Sequence, residues 1–375
     1  MSQNFENQTI LVNRADFSDV SIVNAAEGDL APDFIRVEIG PWALTANNIT
    51  YMVTGDLIGY WNFFEPKAYG IDMDGKGDAR WGRMPVWGYA KVTASNCADV
   101  AVGTELYGFF PVAKTLDLKP AKLTPLGFQD GNDHRVKLHP VYNGYTFIDA
   151  DPSFAAHRDL QPVLRPLFTT SFLIDDFLAD ENFFGAEQVL LLSASSKTAM
   201  GTAYCLKQRA KEGGAIKVTG LTSEGNADFT KNTGFYDEVQ TYDTITDLNP
   251  DVKTVIVDMA GNGDVTTRLY EHFEENIVYN CMVGKSHWQG STPPKPKLGA
   301  PAVMFFAPDR AQQRFKDWGS AGFAKNLAAR WLPFCDSAKD WLELEPSGDI
   351  GDYLKTYADF LGGKASPSKG YLFKL

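Results

Sequence analysis

Over the first ~155 residues apolar and polar positions tend to alternate with a period of two, the spacing of half-buried strands. Phe34-Ile35-Arg36-Val37-Glu38-Ile39 shows it well, with one apolar face and one polar face. Gly40-Pro41, Gly55, Gly70, Gly82, Pro85, Gly88, Gly103, Gly108 and Pro111 punctuate these stretches. The pattern predicts a small barrel or partly open sheet.

From about residue 156 the pattern changes. Val189-Leu190-Leu191-Leu192 is a continuous apolar run, as expected of a parallel strand buried on both faces. A small-residue turn follows, then a helical stretch from Thr198 to Lys211. Ala215–Gly220, Glu238–Thr241 and Lys253–Asp258 read as further strands, with a helix near Asp264–Phe273. Asn276–Asn280 and Ala302–Phe306 continue the series. Strands alternating with helices predict βαβ units and a parallel sheet. After Pro308 apolar residues take helical spacing over Gln312–Leu332 and Ile350–Leu361. Trp341–Leu344 and Tyr371–Lys374 read as closing strands. The expected fold class is therefore α/β. Residues 1–157 with 309–375 would form a β-rich domain, and residues 158–308 a doubly wound parallel sheet domain.

Composition narrows the options. The 375 residues are 44% hydrophobic and 22% charged, which excludes a disordered or fibrous chain. A chain of this length buries roughly three quarters of its extended surface and needs no metal or disulfide to be stable. The formal charge of -12, with no Lys/Arg run, argues against a nucleic-acid partner. Cys97, Cys205, Cys281 and Cys335 lie far apart and form no CxxC or CxxH pair, so a reduced cytoplasmic protein is expected. Met1–Glu6 lacks the basic and apolar segments of a signal peptide, and no apolar run approaches the ~18 residues of a membrane span. Neither leader nor membrane is expected.

The segment Leu192-Ser193-Ala194-Ser195-Ser196-Lys197-Thr198-Ala199-Met200-Gly201 stands where the first βαβ strand hands over to its helix. Backbone N–H groups and the helix dipole attract phosphate at such a point, and small residues let the backbone approach a pyrophosphate. Ser and Ala replace the usual glycines, while Lys197 adds a positive charge. Ser195, Ser196, Lys197, Thr198 and Ala199 are the expected cofactor contacts. Ser196-Lys197-Thr198 matches only the end of a Walker A loop, because Leu191 and Ser196 stand where its glycines belong. The alternative without a ligand is a small-residue turn with a solvated lysine. Beyond the second strand, Thr222 and Ser223 can hydrogen-bond a ribose 2′-phosphate without repelling it, which favours NADP over NAD. Glu224, turned inward, would reverse that preference.

Several segments together resemble the medium-chain dehydrogenase/reductase superfamily, on its zinc-independent, quinone-reductase-like side. Asn47-Asn48-Ile49-Thr50-Tyr51 with Thr54-Gly55 resembles the family's Asn-x-x-Asp-x-Tyr-x-x-Gly stretch, with Thr50 for the Asp and Tyr51 one place early. Pro85–Val92 resembles its Pro-x-x-x-Gly-x-Glu-x-x-Gly strand, with the glycine one place early, and Gly103–Phe109 its Gly-Asp-x-Val-x-Gly-Phe. Thr170-Ser171-Phe172 resembles the Thr-Ala-Tyr that opens the first cofactor-domain helix, and Gly370–Leu375 its closing strand. The Ser-Ala-Ser-Ser-Lys-Thr-Ala turn marks an uncharacterised bacterial branch. The resemblance implies a GroES-like domain plus a Rossmann domain, a cofactor contact at Thr170, and a homodimer joined through edge strands. Ser286-His287-Trp288 falls where family members contact the nicotinamide end, so Ser286 is an expected cofactor contact and His287 a proton donor. Zinc-dependent relatives carry a Cys near Asn47 and a Gly-His-Glu near Trp87-Gly88-Tyr89. Neither pattern is present, and no metal is expected.

Without zinc, hydride transfer needs positioning, a dry site and a donor for the developing oxyanion. Tyr51 is the expected donor or proton source, and Asn48 holds the substrate carbonyl or orders Tyr51. On the alternative reading Tyr51 caps a barrel strand and Asn48 satisfies a turn. Tyr60-Trp61-Asn62-Phe63-Phe64, with Trp81 and Trp87, would wall an apolar cleft suited to a bulky or aromatic small molecule. Asp72–Asp78 reads as a turn. The function expected is NADPH-dependent reduction of an activated C=C or C=O bond. A lyase or hydratase, or a non-catalytic nucleotide-binding protein on the same fold, stays open beside it.

Overall fold

The computed structural model describes residues 7–25, 28–71, 79–151, 153–214, 216–284 and 296–375. They fall into two compact units: Met1–Val163, Leu344–Ala365 and Lys369–Leu375 form one, Leu164–Glu343 and Ser366–Ser368 the other. Expected contacts Ser286 and His287, and the turn at Asp72–Asp78, lie outside the described residues.

The first unit is β-rich. Its main sheet runs in the order Glu343–Ser347, Lys369–Phe373, Ile35–Leu44, Pro85–Ser95, Glu105–Pro111, Gly144–Phe147, Gly127–Asp130 and Pro120–Thr124, with Thr115–Leu118 also paired to Ile35–Leu44. The central pairs are antiparallel and set Trp87 opposite Phe109 and Gly108 opposite Tyr145. The closing strand returns to the sheet by pairing Tyr371 with Leu44. A second sheet joins Val20–Asn24, Gln8–Asn13 and Trp81–Gly82.

From Ala46 to Tyr69 the chain runs in short helices and 3-10 turns, which corrects the strand setting expected for Tyr51. Helix Ala46–Val53 begins because Asn48, in its first turn, turns back to cap it. The Thr45 amide donates to Asn48 Oδ1 at 2.7 Å, the task a Glu or Gln performs in a capping box. Gly55–Ile58 and the 3-10 turns Tyr60–Phe64 and Pro66–Tyr69 follow.

The second unit is a parallel sheet. Its strands, in chain order, are Gln188–Leu192, Lys217–Thr222, Glu238–Thr241, Thr254–Asp258, Ile277–Met282 and Ala302–Met304. In space they run third, second, first, fourth, fifth, sixth, all parallel. The first strand is buried throughout, as its unbroken apolar run requires. The order reverses between the first and fourth strands. Such a reversal opens a crevice beyond the carboxyl ends of the strands, where ligands bind in open α/β sheets.

The unit boundary differs from the one expected at residue 308. Residues 309–343 belong with the parallel sheet, because helix Ala307–Ala338 packs there. Its Trp331 and Phe334 rings lie 5.4 and 4.6 Å from Phe168. Arg310 and Arg314 pair with Asp176 and Asp180 of the preceding long helix. The helix is longer than its apolar spacing predicts and breaks at Gly319, whose φ of 69° suits a residue without a Cβ.

Candidate active site

In the second unit the first strand ends at Leu192 and the chain turns through Ser193. Ser193 takes φ 54°, a left-handed conformation that costs a side-chain-bearing residue about 1–2 kcal/mol. Two tyrosines hold the turn in place. The Ser193 amide donates to Tyr242 Oη at 3.0 Å, and Tyr236 Oη donates to Ala194 O at 2.6 Å. Burial pushes the Tyr242 hydroxyl up to about 12, so it stays protonated. The Ala194 methyl fits because glycine stands opposite it: a Cβ on Gly220 would lie 2.8 Å from Ala194 Cβ.

Helix Lys197–Lys211 starts at once. Ser196 caps it, accepting from the Ala199 amide at 3.3 Å. Ser195 is buried and receives Thr222 Oγ1 at 3.4 Å, which links the ends of the first two strands. Ala199 is fully buried. The Thr198 carbonyl accepts from Ser171 Oγ at 2.7 Å and Thr202 Oγ1 at 2.9 Å. Its hydroxyl makes no hydrogen bond among the described residues. Thr170, expected to contact the cofactor, bonds back to Pro166 O at 3.2 Å in its own helix, and Ser171 is the neighbour that reaches the turn. Gly201 permits that approach, since a Cβ there would lie 2.6 Å from Ser171 Oγ.

Lys197 is not a solvated surface lysine. It is half-buried, its ammonium donates to Pro367 O at 3.2 Å, and burial pushes it down to about 8. Ser223, at the end of the second strand, is exposed, begins helix Glu224–Asn232, and makes no hydrogen bond through its side chain among the described residues. Glu224 is exposed beside it.

In the first unit Tyr51 and Asn48 share helix Ala46–Val53. Asn48 is buried and committed to structure: besides its cap, its Nδ2 donates to Pro85 O at 2.8 Å. Tyr51 is also buried and differently placed. Trp87 Nε1 donates to its hydroxyl at 3.0 Å, and among the described residues no group accepts the Tyr51 proton. Burial pushes the Tyr51 hydroxyl far above the ordinary tyrosine range. Nearby Tyr60 adds to the shift, and hydrogen bonds from Trp87 and Asn47 oppose it. Tyr51 is therefore a neutral donor, its oxygen held by donors and its own proton uncommitted.

Aromatic rings surround it. Tyr60 lies 4.7 Å and Phe109 5.3 Å from the Tyr51 ring, and Tyr60 and Tyr142 share a 2.9 Å hydrogen bond. Phe63 and Trp87 complete the group against Phe109, at 5.7 and 5.2 Å. The expected aromatic wall is thus partly right. Trp61 instead packs where any side chain on Gly55 or Gly82 would collide with it, and Trp81 pairs with Asn13 in the smaller sheet. Tyr142, Tyr236 and Tyr242 escape sequence reasoning, because they come from distant segments and belong to no motif.

Among the described residues no three His, Cys, Asp or Glu side chains converge as a metal site, and no helix is long and apolar enough to cross a membrane.

Solved structures with the same fold cover nearly the whole chain. CurA from Vibrio vulnificus is 13% identical over 98% of each chain, with a TM-score of 0.60. The yhdH oxidoreductase from Salmonella enterica, solved in complex with NADP, is 12% identical over 98% of this chain and 99% of that one, with a TM-score of 0.51. The quinone oxidoreductase from Coxiella burnetii is 14% identical over the same shares, with a TM-score of 0.50. At these identities the likeness is one of fold, a GroES-like unit and a Rossmann unit. No curated protein matches the chain by sequence. A family model does, over residues 42–366, and the chain belongs to that family, described as "Protein of unknown function (DUF2855)".

Proposed function

We propose that this protein is an NADPH-dependent, zinc-independent oxidoreductase that reduces an activated C=C or C=O bond on an apolar or aromatic small molecule. The observation that carries this reading is the half-buried Lys197 at the start of a helix, beside the point where the parallel strand order reverses. A cation at that point favours an anionic ligand, and a dinucleotide pyrophosphate is the anion such a crevice takes. The solved complex of the yhdH oxidoreductase with NADP and that of CurA with NADPH support the choice of nucleotide.

The residues fit that group. Thr198 offers an uncommitted hydroxyl beside Lys197, and Ser223 offers one at the end of the second strand, where the ribose 2′-phosphate is read. Ser195, Ser196 and Ala199 shape the turn rather than donate to the ligand. NADPH, when bound, supplies the hydride. Tyr51 then hydrogen-bonds the substrate oxygen that gains negative charge and gives it a proton. Its raised pKa keeps that proton in place until an alkoxide or enolate forms. The rings of Tyr60, Phe109 and Tyr142 keep water from Tyr51, and Asn48 fixes the helix that carries it. Ser286 as a cofactor contact and His287 as a proton donor rest on the sequence resemblance alone. The edge strand Ala302–Met304, exposed at all three positions, is the surface through which two copies would pair as a homodimer.

Titration with NADPH and NADH, beside Lys197→Ala, tests the reading. Tight NADPH binding that weakens at least about tenfold in the variant is expected, since a hydrogen bond to a charged group contributes about 1.5–3 kcal/mol. A screen of enones and aldehydes for NADPH oxidation follows. If folded, cofactor-free protein binds neither nucleotide, the reading fails.

A further inference from the structure

Among the described residues the first unit buries two arginines, Arg83 and Arg135, and one carboxylate, Asp130. Arg135 is wholly buried, and its Nη1 donates to Asp130 Oδ2 at 3.0 Å and to Tyr145 Oη at 2.8 Å. Its Nη2 donates to Tyr142 O at 3.1 Å, while its Nε has no partner. Arg83 is 2% exposed, donates through Nε to Phe64 O at 3.0 Å, and leaves Nη2 without a partner. Among the described residues no carboxylate pairs with Arg83. Its guanidinium lies 4.2 Å from the centre of the Tyr69 ring, whose buried hydroxyl has Arg135 within reach but makes no well-formed hydrogen bond among the described residues. The ring of His134 stands 5.3 Å from that of Tyr69, with its Nε2 buried and unpartnered.

These groups act on one another. Tyr69 feels Arg135, Asp130 and Arg83, and His134 feels Asp130, Arg135 and the exposed Glu65. Burial lowers Arg83 to about 10, which leaves it charged at neutral pH. Among the described residues two guanidiniums and one carboxylate leave a buried excess of one positive charge. An uncompensated buried charge is among the costliest features a fold can carry, and an apolar side chain would fill the place without it. Several buried polar atoms without partners in one cluster call for a missing group, not for imperfect packing.

We propose that Arg83 and Arg135, with the Tyr69 hydroxyl, hold a small monovalent anion, a halide or a carboxylate, inside the β-rich unit. One negative charge balances the excess, and Arg83 Nη2, Arg135 Nε and Tyr69 Oη are its donors. The ion completes a hub with a second task. Arg83 pins the Phe64 carbonyl and Arg135 the Tyr142 carbonyl, while Tyr145, held by Arg135, donates to Phe109 O at 2.9 Å. Phe109 and Tyr142 are walls of the Tyr51 site, and Phe64 adjoins a third. This inference does not depend on the nucleotide.

The test compares sodium gluconate, chloride and formate at equal ionic strength, starting from full-length protein dialysed into gluconate. Chloride or formate should raise the Tm saturably by about 5 °C or more, as a ligand well above its Kd does. Arg83→Met should abolish the rise. Tyr69→Phe, which keeps both charges, should shift the half-maximal anion concentration upward about tenfold. An ion too tightly held to exchange should appear by ion chromatography of the denatured protein at about one per chain. Equal Tm values in the three salts with no anion released would overturn the proposal, and so would a rise that both variants retain.

Discussion

Lys197→Met should make the nucleotide-free protein more stable at neutral pH while it weakens NADPH binding. Burial lowers the lysine from 10.5 to about 8 by stripping water from its ammonium. Below about pH 8 the lysine is charged in both folded and unfolded chains, and the folded state carries the desolvation cost of burying it. Between about pH 8 and 10.5 the folded lysine is neutral while the unfolded one still holds its proton, so the burden fades as pH rises. Its full size is at most about 3 kcal/mol. The variant also loses the bond to Pro367 O, which contributes about 0.5–1.5 kcal/mol. The net gain at pH 7 is about 1–2 kcal/mol, a Tm increase of about 2–6 °C, and it should vanish near pH 10. Thermal unfolding of wild type and variant from pH 7 to 10, followed by NADPH titration, measures each part. A variant less stable than wild type at pH 7, or a difference that does not change with pH, would refute the reasoning. Either would mean that the folded protein already compensates the charge.

Other perturbations separate the roles of single residues. Tyr51→Phe leaves Trp87 Nε1 without its acceptor and should cost about 1–3 kcal/mol in denaturant unfolding. It should lower turnover about 100- to 1000-fold at unchanged NADPH affinity, which steady-state kinetics and fluorescence titration read together. Gly220→Ala places a methyl 2.8 Å from both Ala194 Cβ and the Tyr236 ring, so it should displace the Ser193 turn, destabilise by about 1–3 kcal/mol and weaken NADPH. Ser223→Asp puts a carboxylate where the 2′-phosphate is read and should move preference from NADPH toward NADH by at least about tenfold in the ratio of Kd values.

The second unit was the more legible in the sequence. Its central strands Gln188–Leu192, Lys217–Thr222 and Thr254–Asp258 are buried on both faces, and the buried runs can be recognised without a partner. Glu238–Thr241 is found where the pattern placed it, and the other strand ends shift by a few residues. The long helix escaped the expected boundary because its allegiance rests on Trp331, Phe334 and two arginines meeting distant partners. Nothing in its own spacing records those partners. In the first unit the segment around Tyr51 misled in a specific way. Asn and Thr are weak helix formers, and β-branched neighbours suggest a strand. The cap that Asn48 supplies at Thr45, and the anchor of Asn48 on Pro85, outweigh that propensity. On a helix, a one-place offset of Tyr51 rotates it by about 100° rather than turning it to the opposite face.

By itself the sequence determined the α/β class, the order of β-rich front, βαβ middle and returning tail, and the turn of small residues ending in Lys197. These are local properties, carried by periodicity and by residue size. Only the tertiary structure decided that Lys197 is half-buried rather than solvated and that Tyr51 keeps its proton among Tyr60, Phe109 and Tyr142. It alone brought Arg83 and Arg135 near each other, with a carboxylate paired only to Arg135 among the described residues. Desolvation and charge balance depend on which remote segments close over a side chain, and neither spacing nor composition records that.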